Sequence, residues 1–286
     1  MKAVIDFKKL LLSGEAKTND WLSLKHAVSE DYNSLPTHLK LYISDLKQLE
    51  ACGLKKSDIV IFDHGCGSGI SILFLLANGY ENVFGVDPKT HKYDVLNYSI
   101  SILLGRSVKP FMNYMSGNKI DLPNGSVNYI FSNQVIEHLS DNDLVSYLSE
   151  EQRIKSDTSI IRHSFPSRNT FFETHTKTIF LHWLMGRSSF NRLFGNRKRE
   201  WLENNLFLRW DHVHEKEFVK HIGPCVQENI NRAELAEQHF EEKAVKKFLR
   251  IMFHKMLAVP VFTSPLKKFY KVFATKEYVQ RNISLK

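Results

Sequence analysis

The residues of this 286-residue chain best suited to chemistry begin with a turn that is nearly bare of side chains. Ile59-Val60-Ile61-Phe62 runs into Asp63-His64-Gly65-Cys66-Gly67-Ser68-Gly69, and an apolar helical run begins at Ile70. A hydrophobic strand that breaks into glycines and then into a helix places a nucleotide-like ligand at the strand's carboxyl end. Glycine is needed there because a side chain blocks the ligand's approach to the main chain and resists positive φ. The spacing is GxGxG. A dinucleotide fingerprint needs glycine at position 70, where Ile stands, and a phosphate loop needs a Gly-Lys-Ser/Thr triplet that does not follow. The next strand, Val83–Val86, ends on Asp87. An acid so placed in a βαβ unit reaches the ribose hydroxyls of a bound nucleoside.

A second set of candidates follows residue 160. Arg168, Glu173, His175 and His182 supply a cation, a carboxylate and two imidazoles on one polar stretch. Such a set can bind a polar or anionic acceptor and take its proton. His138 adds an imidazole whose ordinary pKa suits proton removal near neutrality. In Trp210-Asp211-His212-Val213-His214 the two histidines would share one face of a strand, but no third ligand follows at convincing spacing. No metal site is expected.

Residues 1–57 read as helical, with Leu39, Tyr42, Ile43, Leu46 and Leu49 at three- and four-residue spacing. Short apolar runs then alternate with helical stretches. Strands are expected at 59–62, 83–86, 129–131 and 159–161, and helices at 70–77, 95–104 and 144–154. Strands that are continuous apolar runs separated by helices imply a parallel sheet covered on both faces. Further on, the pattern predicts a short helix at 217–222, a long one at 234–257 and a closing strand at 270–275.

The glycine turn resembles the D/E-x-G-x-G-x-G motif of class I S-adenosylmethionine-dependent methyltransferases. The resemblance continues through Val86-Asp87-Pro88 and through Gly117-Asn118-Lys119-Ile120-Asp121-Leu122-Pro123, which is similar to that family's G-D-x-x-x-L-P segment. It extends to Ser126–Leu139, similar to the run S-F-D-x-V-x-S-x-x-V-x-E-H-L at the fourth strand. Asn118 stands where the family has Asp beside the adenine amine, and its side-chain carbonyl can still accept that hydrogen bond. Asn128 replaces an Asp of structural rather than catalytic importance. The resemblance implies a Rossmann-like α/β fold with a seven-stranded, mostly parallel sheet, helices on both faces, a helical cap over 1–57 and a methyltransferase domain over 58–286. Basic helical elaborations are expected within 176–262. It implies S-adenosylmethionine as cofactor, S-adenosylhomocysteine as product, and cofactor contacts from Asp63, Gly65, Cys66, Gly67, Gly69, Asp87, Pro88, Asn118 and Gln134. It also places His138 after the fourth strand, where the methyl donor projects. Phe165-Pro166-Ser167-Arg168, Glu173-Thr174-His175 and His182-Trp183 resemble a stretch of methyltransferases acting on bacterial surface glycans and lipid-linked sugars. His138, His175, Glu173 and Arg168 are therefore the expected catalytic residues, and O-methylation of a glycan, lipid-linked sugar or related small molecule is the expected reaction.

Composition bounds the remaining choices. Hydrophobic residues make up 43% and charged residues 24%, as in a folded globular chain rather than a disordered one. The three cysteines form no CxxC pair, and the amino terminus lacks the apolar run of a secretory signal, so a reducing cytoplasm is expected. Residues 187–286 hold 20 Lys and Arg against 11 Asp and Glu, which accounts for the whole +8 excess. A one-sided basic region suits an anionic partner. In Lys243–Met256, Val245, Phe248, Leu249, Met252 and Met256 fall on one helical face beside Lys and Arg, a pattern that fits an anionic membrane surface, the inner face if the protein is cytoplasmic. Arg192, Arg197, Lys198 and Arg199 lie close to Phe190, Phe194 and Trp201. That interleaving also suits RNA, which makes an RNA methyltransferase the alternative enzyme. A catalytically silent cofactor-binding subunit is the alternative outside enzymes.

Overall fold

The computed structural model describes residues 1–30, 35–88, 92–115, 119–170, 172–173, 175–179, 181–228 and 276–283. Three helices come first: α1 (Lys2–Ser13), α2 (Thr18–Glu30) and α3 (Thr37–Ala51). The alternating part follows with β1 (Val60–His64), α4 (Ile70–Ala77), β2 (Asn82–Val86), α5 (Tyr93–Leu104), β3 (Phe111–Met112), β4 (Val127–Asn133), a 3₁₀ turn at Ile136–His138, α6 (Asp141–Ile154) and β5 (Lys155–Phe165). Then come β6 (Phe172–Glu173), β7 (Thr178–Ile179), α7 (Leu181–Leu184), α8 (Arg187–Asn191), α9 (Asn196–Asn205), α10 (Asp211–His221), β8 (Val226–Gln227) and β9 (Lys276–Asn282). Among these residues seven strands form one sheet in the order β3-β2-β1-β4-β5-β9-β8, and β6 pairs with β7 apart from it. β1 runs parallel to both β2 and β4, and β2 parallel to β3, while β8 and β9 are antiparallel. This is the expected Rossmann-like, mostly parallel sheet.

The chain divides into two compact units, one of Met1–Ser132, Glu150–Ile161 and Arg281–Lys286, the other of Asn133–Ser149 and Arg162–Gln280. In the first, the apolar stripe of α3 does what its spacing predicts: Leu39, Tyr42, Ile43, Leu46 and Leu49 are all buried. Tyr42 packs on Phe131 of β4 at 4.2 Å between ring centroids, and the Tyr129 hydroxyl donates to Asp45 at 3.1 Å. Asp45 also receives Arg281 on its other oxygen, so this buried carboxylate keeps partners on both. Asn128 proves structural. Its carbonyl oxygen accepts the Val60 N–H at 3.0 Å, and its amide donates to Ser156 Oγ and to the Thr158 carbonyl. One side chain thus ties β1 and β5 to β4.

The second unit centres on Phe165, His163, His214, Phe218 and Tyr278, all buried. His163 stacks on Phe218 at 5.3 Å, and Phe165 on Tyr278 at 5.7 Å. β9 escapes a hydropathy reading because it begins with charges: Lys276 is buried against Asp211 at 2.8 Å, and buried Glu277 lies 3.6 Å from Arg162. The closing strand expected at 270–275 lies outside the described residues, as do the helix at 234–257 and its basic amphipathic stretch. The helix expected at 217–222 is the end of α10, which starts at Asp211. Residues 211–214 are therefore helical rather than extended. At helical pitch, positions two apart point to different sides, so His212 is exposed while His214 is buried. Among the described residues, no helix is long and apolar enough to cross a membrane.

His214 is buried with neither ring nitrogen hydrogen-bonded. Burial, and then the charges of Arg209 and Lys276, lower its pKa to about 3. An unfolded chain binds this proton at about pH 6.5, whereas the folded protein resists it until near pH 3. The unfolded state therefore holds more protons across that window, and stability falls as pH drops through it. The expected outcome in denaturant titrations is a loss of unfolding free energy below about pH 6.5 that is visibly shallower in His214→Phe.

Candidate active site

The glycine turn is fastened to the neighbouring strand through its backbone. The N–H groups of Gly65 and Cys66 both donate to the Val86 carbonyl, at 2.9 and 3.0 Å, and Gly69 N–H donates to Cys66 O at 2.8 Å. Gly65, Gly67 and Gly69 have φ of 100°, 49° and 78°, the left-handed region that L side chains disfavour. The glycines answer to different demands. A Cβ built on Gly69 would lie 2.0 Å from Phe111 Cε1, whereas one on Gly67 would meet nothing within 4 Å. Gly69 is bare because the protein fills its space. Gly67 is bare where the protein leaves space.

Asp87 follows β2 and accepts the Gly67 N–H at 3.0 Å, which joins the acid to the turn. The Tyr93 hydroxyl donates to the Gly67 carbonyl at 2.6 Å and lies 3.3 Å from Cys66 Sγ, while its ring stacks on Phe111. Burial, and then the Asp87 charge, raise the Asp63 carboxyl well above the usual range. Burial also drives up the Cys66 thiol, so it is a packing group here, not a thiolate. Pro88 is exposed beside Asp87, and Asn118 lies outside the described residues. Sequence reasoning missed the buried pair at the end of β1, where His64 Nδ1 meets Glu151 Oε1 at 2.8 Å. The histidine belongs to the motif, but its partner on α6 is 87 positions away, so no local spacing announces it.

In the second unit, Gln134 takes a left-handed φ of 60° and donates its N–H to Ser164 O at 2.7 Å. His138 closes the 3₁₀ turn. Its Nδ1 lies 2.5 Å from the Asn205 carbonyl, which can only accept, so Nδ1 carries the proton and the neutral ring's lone pair is on Nε2. His175 is fixed likewise, with Nδ1 donating to Glu173 Oε1 at 2.7 Å. The two rings meet edge to face at 5.1 Å, and His175 stacks on Trp201 at 5.7 Å. Glu173 is buried, which would raise its pKa, but hydrogen bonds from His175 and Thr176, side chain and backbone, hold it at about 2. A carboxylate with four donors on it orients His175 and is poorly placed to take a proton itself.

Arg168 is committed elsewhere: its guanidinium donates to the Met185 carbonyl and lies 5.0 Å over the Trp210 ring. His182 Nε2 donates to Thr170 O at 2.8 Å, and burial lowers the ring's pKa. The structure therefore groups His138, His175 and Glu173, and gives Arg168 and His182 contacts of their own. It adds Glu137, which sequence reasoning passed over beside His138. Glu137 is 0% exposed, and neither carboxyl oxygen is hydrogen-bonded. Burial pushes this carboxyl up to about 8, opposed by its own amide and helped by the Glu173 charge.

A seven-stranded, mostly parallel sheet with a glycine turn after β1 and an acid after β2 is the arrangement in which α/β proteins take a nucleoside ligand. Residues 61–156 match the family model described as a methyltransferase domain. A search of curated proteins finds no match. Among solved structures, the chain is similar to geranyl diphosphate C-methyltransferase from Streptomyces coelicolor A3(2), with 12% identity, 85% of this chain and 80% of that one covered, and a TM-score of 0.47. It is similar to a putative sarcosine dimethylglycine methyltransferase from Galdieria sulphuraria at 12% identity, covering 86% and 85%, with a TM-score of 0.47. It is also similar to phosphoethanolamine N-methyltransferase 2 of Haemonchus contortus at 14% identity, covering 96% and 58%, with a TM-score of 0.46. Residues 61–156 thus resemble a methyltransferase domain in sequence, within the Rossmann-like sheet described above.

The unequal roles of the glycines give a paired expectation. Gly69→Ala, driven into Phe111 at positive φ, loses roughly 3 kcal/mol or more of unfolding free energy. Gly67→Ala loses only about 1 kcal/mol, from backbone strain alone. Denaturant melts of the two variants, read against the parent, check this order.

Proposed function

We propose that this protein is a methyltransferase that binds S-adenosylmethionine in the turn at 63–69 and methylates an oxygen of a glycan, lipid-linked sugar or related small molecule. The observation that carries the cofactor assignment is Gly67: positive φ, bare main chain, and open space where a Cβ would project. The turn and its acid fit such a ligand. Gly67 offers a bare surface to the amino-acid end, and Asp63, Gly65, Cys66 and Gly69 are proposed to shape the turn around it, the last three through their N–H bonds to the Val86 and Cys66 carbonyls. Asp87, followed by Pro88, offers a carboxylate to ribose hydroxyls. When bound, the cofactor supplies a methyl group on a sulfonium, ready for in-line displacement. Asn118 and Gln134 are the remaining proposed contacts, on the strength of the motif alone.

The protein's share of such a reaction is mostly orientation and exclusion of water. For the acceptor we propose the cluster of His138, Glu173 and His175. Glu173 positions His175 and the Asn205 carbonyl positions His138, each through the ring's Nδ1. Arg168 is proposed as a support for the loop that carries them, through Met185 and Trp210. Beside His175, a groove on α9 is lined by Arg197, Lys198, Glu200, Trp201, Asn204 and Asn205. Lys198 lies 4.9 Å over the Trp201 ring and donates to His175 O at 2.8 Å. An aromatic face with amides and cations around it suits a sugar that bears an acidic group.

Calorimetric titration with S-adenosylhomocysteine tests the donor half: the parent binds one equivalent, and Asp87→Ala binds roughly 10-fold or more weakly through the lost ribose contact. Absence of binding by the parent would refute the assignment. Mass spectrometry of glycans, lipids and RNA from cells with and without the protein tests the acceptor half. The expected gain is one methylene in a glycan or lipid-linked sugar, and a gain confined to RNA would overturn it.

A further inference from the structure

We infer that Glu137, His138 and His175 form a binding site for a divalent transition-metal ion of the zinc class. One carboxylate oxygen and one nitrogen of each imidazole lie within 4.8 Å of one another. A tetrahedral ion with ligands at about 2.1 Å needs them about 3.4 Å apart, so modest side-chain rotation brings them to one centre.

Two independent observations point to a ligand. The first is Glu137, wholly buried with both oxygens outside any hydrogen bond. Burying such a group without a partner is unfavourable, and a bound cation removes that penalty. The second is the dress of the histidines. Each gives its Nδ1 proton to an oxygen, Asn205 O for His138 and Glu173 Oε1 for His175, which is how ligating imidazoles are held. Glu173, saturated by His175 and Thr176, then stands behind the ligands rather than among them.

The donor set selects the ion. Two imidazoles and one carboxylate suit zinc and its first-row neighbours, whereas magnesium and calcium seek oxygen ligands. Three protein ligands also leave a coordination position open. That the open position receives the acceptor oxygen rests on the acceptor reading above, while the metal site itself rests only on the cluster.

The test is a titration of the chelator-treated full chain with zinc(II), followed by calorimetry, and with cobalt(II), followed by visible absorption. One equivalent is expected per chain, with the strong absorption of four-coordinate cobalt. In Glu137→Gln, His138→Gln and His175→Gln the affinity is expected to fall roughly 100-fold or more, while circular dichroism and S-adenosylhomocysteine binding stay as in the parent. No stoichiometric binding, or equal binding in all three variants, would overturn the site. If zinc binds as expected but His175→Gln leaves the acceptor KM unmoved, the metal site stands and the acceptor reading falls. If methylation is lost in His175→Gln while the parent binds no zinc, the metal inference alone falls.

Discussion

The ligand end of the first strand depends on a single acceptor, the carbonyl oxygen of Val86. It takes the N–H groups of both Gly65 and Cys66, and so stitches a turn of three left-handed glycines to the end of β2. That tether matters because glycines bring no side chains to pack and lose the most conformational freedom on ordering. The same carbonyl fixes where Asp87 emerges, one residue later, close enough to accept the Gly67 N–H. Turn, acid and strand end are thus one hydrogen-bonded object, and the parallel register of β1 with β2 sets their spacing.

Much of this was legible because it is local. The apolar runs of β1 and β2, the stripe of α3 and the GxGxG spacing lie within a few residues of one another, where periodicity and turn chemistry act directly. What stayed hidden is what depends on distant partners. β9 opens with Lys276 and Glu277, charges that a hydropathy reading assigns to solvent, yet both are buried against Asp211 and Arg162. The His64–Glu151 pair sits inside the most recognisable motif of the chain and is equally silent. The alternate histidines at 212 and 214 were open to a strand reading only because spacing alone does not reveal that α10 begins at Asp211.

The polar stretch after β5 shows the same limit from the other side. Residue types predicted a reactive set, and the side chains themselves sort it. Glu173 has all its acceptor capacity engaged, Arg168 lies on Trp210, and His138 and His175 are oriented by oxygens of other segments. Glu137 is the opposite case: the motif run at the fourth strand contains it, but only its burial without a partner sets it apart from the other polar residues there.

The unequal glycines bear on how such a chain can age. Gly69 and Gly85 are held bare by their own protein, since a methyl group on either would strike Phe111 in the first case and Ile72 and Cys66 in the second. Gly67 has no such internal guardian. In a descendant that abandoned the cofactor, selection on folding would keep the first two and release the third, where Asn or Asp would be the readiest replacements. A lineage in which position 67 drifts while 69 and 85 do not would be one that kept the scaffold and gave up the ligand.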